Sequence, residues 1–244
     1  MSYRAYKYKA WDKYAKRIIT HQELYFASPK DFNDIFDCQA HGTMSNYQFA
    51  NDPILITGDG RIIHYKGNPS SLLDKATKRG VDTCGVCCFS KSYNSILMWS
   101  HYADYNKGVC FRFDLDRIEL ATGLFGDIIY VKNKPTYDYN NPNEDKSKWF
   151  FYKNSVWKYE REIRGLIFPP QNIKSQRYRK VKFPKEALKE IIFGANYTDE
   201  STYNEAISLC KEHGFHNVKF SFMEATTDSD SYKLIKEPLL VTNQ

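Results

Sequence analysis

The stretch Trp157-Lys158-Tyr159-Glu160-Arg161-Glu162-Ile163-Arg164 has residue types and spacing that point to chemistry. Read as a strand, alternate residues share a face. Glu160, Glu162 and Arg164 then point one way, and Tyr159, Arg161 and Ile163 the other. Two carboxylates so spaced can divide a task, one stabilising developing positive charge while the other takes a proton. The neighbouring Arg can hold an anion or tune the pair. The plainer reading is an exposed strand with cross-strand ion pairs. Leu166 and Phe168 continue the carboxylate face as apolar residues, so the strand heads inward, where charges need a reason.

Other candidates carry a structural reading beside the chemical one. Asn33, Asp34 and Asp37 form a polar cluster among aromatics, and Asn and Asp also fix turns through the local backbone. His101 shares a helix face with Leu97 and adjoins Met98. It is either a buried imidazole bonded to backbone or an acid/base group facing a ligand. Ser90 ends an apolar strand and either caps the next segment or serves a site. Cys84-x-x-Cys87-Cys88 invites zinc, but a structural site wants four ligands, and Cys38, Cys110 and Cys210 are isolated. Cys87 and Cys88 sit in an apolar strand, where Cys acts as a small hydrophobe; no metal is expected. The run Lys174, Arg177, Arg179, Lys180, Lys182, Lys185 reads as a solvated face, with an anionic partner as the alternative. No Walker loop, dinucleotide glycine fingerprint, nucleophile elbow or kinase set is present.

The elements that must position these residues are short and mixed. Strands are predicted at Tyr3–Lys9, Leu24–Phe26, Val86–Phe89, Val109–Phe113, Asp127–Val131, Trp157–Phe168, Arg179–Phe183, Ile191–Phe193, Asn217–Phe222 and Tyr232–Ile235. Helices are predicted around Asp12–Ile19, from Asn68-Pro69 to Gly80, from Asn94 through an Ile96, Leu97, Trp99, Ala103 face, over Trp149–Ser155, briefly from Pro184, and from Thr198 to His213. Thr57-Gly58-Asp59-Gly60 reads as a hairpin turn between Ile54–Ile56 and Arg61–Ile63, and Lys132–Lys148 as a long loop. Strands and helices without a strict βαβ rhythm favour α+β, with a mixed or largely antiparallel sheet and flanking helices. No linker divides the 244 residues, so one domain over 1–244 is expected, with 38–80 as an insertion or lid.

Composition narrows the class. Charged residues at 26% and apolar residues at 42% argue against disorder. A net charge of +6 permits an anionic ligand without requiring one. The 19 Tyr and 16 Phe suit half-buried faces and stacking on bases, and equally a β-rich core. No run approaches the ~20 apolar residues of a membrane span. Met1 to Arg17 has no apolar signal-peptide region. Six Cys without an export signal suit free thiols in a reducing cytoplasm, the expected location.

In order, the blocks Tyr6-Lys7-Tyr8, Leu24-Tyr25-Phe26, Phe32-Asn33-Asp34-x-Phe36-Asp37, Cys88-Phe89-Ser90, Leu97-Met98-Trp99-Ser100-His101-Tyr102-Ala103, Lys107-Gly108-Val109-Cys110, Trp157-x-Tyr159-Glu160-x-Glu162-x-Arg164 and Ile191-Ile192-Phe193-Gly194 resemble a widespread bacterial family of unknown function. Ile35 stands where that family commonly has Pro. The order of a basic residue on the first strand, a Ser ending a core strand and a later Glu-x-Glu also resembles the ADP-ribosyltransferase fold. Cys88-Phe89-Ser90 replaces that fold's usual Ser-Thr-Ser. The second resemblance implies NAD as substrate. Arg4 or Lys7 would anchor it and Ser90 would support the site. Glu162 would bind the ribose and stabilise the oxocarbenium-like transition state, and Glu160 would activate the acceptor. On this reading Glu160, Glu162, Ser90 and His101 are catalytic. Arg4, Lys7, Tyr8, Asn33, Asp34, Tyr102 and Arg164 line the nucleotide site. The acceptor would be protein or nucleic acid, in a toxin or phage-defence effector. Two rivals stand beside it: a metal-assisted nuclease using Asp34, Asp37, Glu160, Glu162 and the basic run, and a non-catalytic nucleotide-binding module.

Overall fold

The computed structural model describes residues 3–39, 42–43, 54–56, 62–64, 69–138, 141, 143, 148–170, 176–197, 200–226 and 231–239. Eight strands form one sheet: β1 (Arg4–Lys9), β2 (Gly85–Ser90), β3 (Val109–Asp114), β4 (Gly123–Asp127), β5 (Glu162–Ile167), β6 (Leu188–Phe193), β7 (Lys219–Ala225) and β8 (Leu234–Pro238). Their spatial order is β8-β7-β6-β3-β1-β2-β5-β4. Every pair is antiparallel except β6–β7. The α+β expectation, with a largely antiparallel sheet, is met.

Side-chain alternation assigns each face. Along β3, Val109, Phe111 and Phe113 enter the larger core, where Ala15, Ile18 and Ile19 of helix α1 (Lys13–Thr20) and Ala206 and Cys210 of α5 (Glu200–Glu212) also pack. Cys110 turns to the other face, joining Tyr6, Tyr8, Ile192 and Met223 under Met98 and Trp99 of α3 (Ile96–Tyr102). A third cluster gathers Val81 and Cys84 from α2 (Pro69–Thr83) and its end with Phe150 and Phe151 from α4 (Lys148–Phe151) and Leu166.

One feature of the pairing makes room for a site. β1 meets β3 at six positions, from Arg4 opposite Asp114 to Lys9 opposite Val109. β1 meets β2 only at Tyr6 opposite Ser90. The two strands part beyond that pair. Lys7 Nζ reaches across to the Cys88 carbonyl at 3.1 Å, a side-chain bond in place of a ladder bond.

Several expected elements differ. Trp157–Glu160 is not extended: Ser155–Glu160 is a 3₁₀ turn, opened by Asn154, whose side chain accepts from the Val156 N–H. The helix expected over Trp149–Ser155 stops at Phe151, and Tyr152–Asn154 pairs as a strand with Ile129–Val131. The aromatic run favours the extended form once a partner strand is available. In α3 the cap is Ser95, not Asn94, and Ile96 and Leu97 are exposed while Met98 and Trp99 are buried. Gly80 does not end α2, which runs to Thr83. The pair Ile54–Ile56 and Ile62–His64 forms as expected. The turn between them, the Asn68 and Thr198 caps, Lys174 and most of 38–68 lie outside the described residues.

Candidate active site

Where β1 and β2 part, a cavity of about 420 Å³ opens. Tyr6, Lys7, Tyr8, Phe32, Asn33, Asp37, Cys88, Ser90, Met98, His101, Tyr102, Lys153, Glu160 and Glu162 are among its lining residues. Aromatic walls with a few converging polar groups are the usual make-up of a small-molecule site.

The acidic end is built from three segments. Glu160 closes the 3₁₀ turn, Glu162 opens β5, and Arg161 between them has φ +47°, in the left-handed region. A side chain rarely adopts that conformation without cause. Three bonds hold the corner. The Arg161 N–H donates to the Lys158 carbonyl at 3.2 Å, the Lys91 N–H donates to the Arg161 carbonyl at 2.9 Å, and the Ser90 hydroxyl donates to the Glu160 carbonyl at 2.6 Å. The bend aims both carboxylates at Lys153, which comes from the strand Tyr152–Asn154. Its Nζ lies 2.5 Å from Glu160 Oε2, 3.2 Å from Glu162 Oε2 and 3.6 Å from Asp37 Oδ2.

Arg164 lies beneath, fully buried. Its guanidinium spans two carboxylates: Nε and Nη2 donate to Glu162 at 2.9 and 3.1 Å, and Nη1 and Nη2 to Asp37 at 3.0 and 2.8 Å. Nη1 also donates to the Phe150 carbonyl at 2.5 Å. This double fork is geometry a Lys cannot reproduce. Three carboxylates against Lys153 and Arg164 leave this cluster one negative charge in excess when all are ionised.

The two glutamates are pushed in opposite directions. Burial raises Glu160 above the ordinary carboxylate range and outweighs the pull of Lys153. Burial also acts on Glu162, but Arg164 and Lys153 overcome it and hold that carboxyl low. Asp37 is held low in the same way. Burial disfavours the Lys153 cation, yet Glu162 and Glu160 keep its ammonium well above its ordinary value. Paired carboxyls with opposed shifts are the pattern of an acid/base pair.

Neighbouring hydroxyls address Glu160. The Tyr102 hydroxyl donates to Glu160 Oε1 at 2.7 Å, and the Asn33 amide donates to Tyr102 at 3.4 Å. His101 Nδ1 lies 3.1 Å from the Tyr159 hydroxyl.

The structure brings Glu160, Glu162, Ser90, His101, Lys7, Tyr8, Asn33 and Tyr102 to one cleft. His101 is exposed at its rim and bonded to a tyrosine, not buried against backbone. Three expectations need correction. Arg4 is exposed, opposite Asp114 at the far end of β1, and does not line the cleft. Asp34 is spent on a turn, its carboxylate accepting from the Phe36 N–H. Arg164 is sealed under the floor and serves the carboxylates. The basic run also divides: Arg179 is buried, capping the end of α2 through the Asp82, Thr83 and Cys84 carbonyls, while Lys180 is exposed. Among the described residues no group of three or more His, Cys, Asp or Glu is arranged to hold a metal ion. None of their helices is long and apolar enough to cross a membrane.

Lys153 is the functional candidate that sequence reasoning missed. Its signal was a lone Lys closing the run Trp149-Phe150-Phe151-Tyr152, a charge where only buried side chains would be expected.

Residues 98–165 match the model of a family described as a protein of unknown function, DUF2971. The matched segment contains α3 from Met98 onward, Lys153 and both glutamates. No curated protein and no solved structure matches the chain.

Proposed function

We propose that this cleft breaks the nicotinamide–ribose bond of NAD and passes the ADP-ribosyl group to an acceptor. The observation that carries the reading is the pair of carboxylates sharing Lys153 while Glu160 is pushed up and Glu162 down. Glu162, ionised by Arg164, stabilises the cationic ribosyl transition state through a fixed charge. Glu160 is the base. As the C1′–nitrogen bond breaks, its electron pair leaves with nicotinamide, which becomes neutral. The acceptor's lone pair bonds C1′ and its proton passes to Glu160.

The surroundings support this. The excess negative charge of the cluster complements a pyridinium ring, and Tyr6, Phe32 and Tyr102 offer aromatic surface for it. Lys7, not Arg4, is the first-strand base at the cleft. The metal-assisted alternative has less support, because the oxygens of Asp37, Glu160 and Glu162 are engaged by Lys153, Arg164 and the Tyr102 hydroxyl, and Asp34 is elsewhere.

The test is nicotinamide release from NAD by the pure protein, with and without a bacterial lysate as acceptor source. Glu162→Gln should lower release by about 10²–10³-fold. Glu160→Gln should lower transfer by about 10²–10⁴-fold. Thermal melting of each variant separates lost chemistry from lost folding. No release by the wild type, together with no thermal shift on adding NAD, refutes the proposal.

A further inference from the structure

A second cavity, of about 400 Å³, shares no lining residue with the cleft. Its walls come from the last turns of α2, from α4 and from the residue that follows β5. Val81, Cys84 and Phe150 are buried there, whereas Gly80 and Phe168 are exposed and mark its mouth. The Phe150 and Phe168 rings meet edge to face, with centres 6.4 Å apart. A Cβ at Gly80 would have no atom within 4 Å, so α2 leaves that side open.

One polar group in these walls is unused. Trp149 lines the cavity, and its indole Nε1–H is buried without an acceptor among the described residues. A buried indole N–H usually has a partner, and leaving it unpaired costs free energy. The ring is held in place by the edge of Tyr137, with centres 5.2 Å apart. The other polar side chains of the lining are Thr77 and Cys84. The Cys84 thiol donates to the Gly80 carbonyl at 3.7 Å. Burial pushes that thiol up to about 11, so it stays protonated and is no nucleophile. No lining side chain carries a charge.

We propose that this cavity is a second binding site, for a neutral aromatic molecule with a hydrogen-bond acceptor that the Trp149 indole meets. Each part of that description has a physical source. An apolar cavity of about 150 Å³ takes one benzene ring, so this one has room for about two fused rings. A charged ligand would lose its hydration against walls that offer no counter-charge. A ligand rich in donors, such as a nucleobase, would leave them unpaired here. The site is therefore distinct in chemistry from the acidic cleft and does not rest on the reaction assigned to it. Phe150 nevertheless belongs to both. It lines this cavity, its carbonyl accepts from Arg164 Nη1 at 2.5 Å, and its helix leads into the strand that carries Lys153.

Quinoline and naphthalene test the site as a pair, since they share a shape and differ by one ring nitrogen that accepts. The full chain is titrated with each at neutral pH while the indole ¹⁵N–H signals of its four Trp are followed. The Trp149 signal is the one missing from Trp149→Phe. Quinoline should move it downfield, and naphthalene should move it less. The Trp99 and Trp157 signals should stay in place. In Trp149→Phe, quinoline should lose at least about threefold in affinity, the worth of a hydrogen bond, while naphthalene keeps its own. Thermal melting shows whether that variant is folded, and the wild-type titration decides the matter without it. A Trp149 signal indifferent to both compounds overturns the site. So do shifts confined to Trp99 and Trp157, which would place the compounds elsewhere. Equal losses of quinoline and naphthalene in a folded Trp149→Phe overturn the role given to the indole N–H, and with it the ligand class.

Discussion

Arg164 decides the electrostatics of the site although no ligand reaches it. A buried guanidinium is tolerable only when its donors are satisfied, and here two carboxylates and the Phe150 carbonyl satisfy them. The reciprocal effect is that Asp37 and Glu162 stay ionised. Both are lower in the folded chain than in the unfolded one, so their contribution to stability is full above the ordinary carboxylate range. It is lost as pH falls below about 4. Glu160 has the opposite sign: raised by burial, its ionisation costs stability as pH rises. Denaturant midpoints measured from pH 6 down to 3 should therefore fall, and Asp37→Asn should make the fall shallower while lowering the midpoint at pH 6. An unchanged slope in Asp37→Asn would show that the acid loss arises elsewhere.

The element that matters most is the corner between the 3₁₀ turn and β5. A regular strand through Trp157–Ile167 would place Glu160 and Glu162 on one face, but spread along the strand. The bend at Arg161 instead brings both onto one ammonium. A left-handed residue with a side chain costs on the order of 1 kcal/mol, and glycine gives back part of that gain through its looser unfolded chain. Arg161→Gly should thus be neutral or stabilising by up to about 1 kcal/mol, with the cleft chemistry kept. Arg161→Val, β-branched at positive φ, should destabilise by more than about 1 kcal/mol, the cost of strained backbone. Urea unfolding of both variants checks the sign. Equal losses in the two would mean the Arg161 side chain, not its backbone, holds the corner.

At the scale of the whole molecule, the cleft depends on how α3 is returned to the sheet. Asp104, Tyr105 and Asn106 all have positive φ (46°, 52° and 67°), and their turn is pressed against the end of β6. The Asn196 N–H donates to the Asn106 carbonyl at 3.0 Å, and the Gly194 N–H donates to the Gly108 carbonyl at 2.9 Å. A Cβ at Gly194 would stand 2.1 Å from the Asn106 carbonyl oxygen, which is backbone and cannot swing aside. Gly194→Ala should cost about 1–3 kcal/mol as overpacking. It should also loosen the Tyr102–Glu160 bond, since Tyr102 ends the helix that this turn anchors. The denaturation midpoint gives the first effect; the Tyr102 ring signals, compared with wild type, give the second. A variant of wild-type stability would show that the turn gives way.

The sequence by itself determined what local patterning determines. The alternation of Val109, Phe111 and Phe113 assigned a strand and set the three on one side of it, the helix around Asp12–Ile19 was legible, and the spacing of Glu160 and Glu162 singled out the acidic end of the cleft. Asn33 was legible as part of a polar cluster among aromatics and His101 as an imidazole on a helix face, while Tyr102 entered only through the family resemblance. Only the tertiary structure decided which charges meet. Lys153, Asp37 and Arg164 are distant in sequence or face, yet they converge because Tyr152–Asn154 pairs with Ile129–Val131 and β1 parts from β2 after Tyr6. Likewise Arg4 and Asp34 look as suitable as Lys7 and Asn33 until register and turn bonding turn them away. The physical reason is range. Capping and periodicity act over a few residues, whereas a buried charge is settled by whichever opposite charge the packed chain sets within about 4 Å of it.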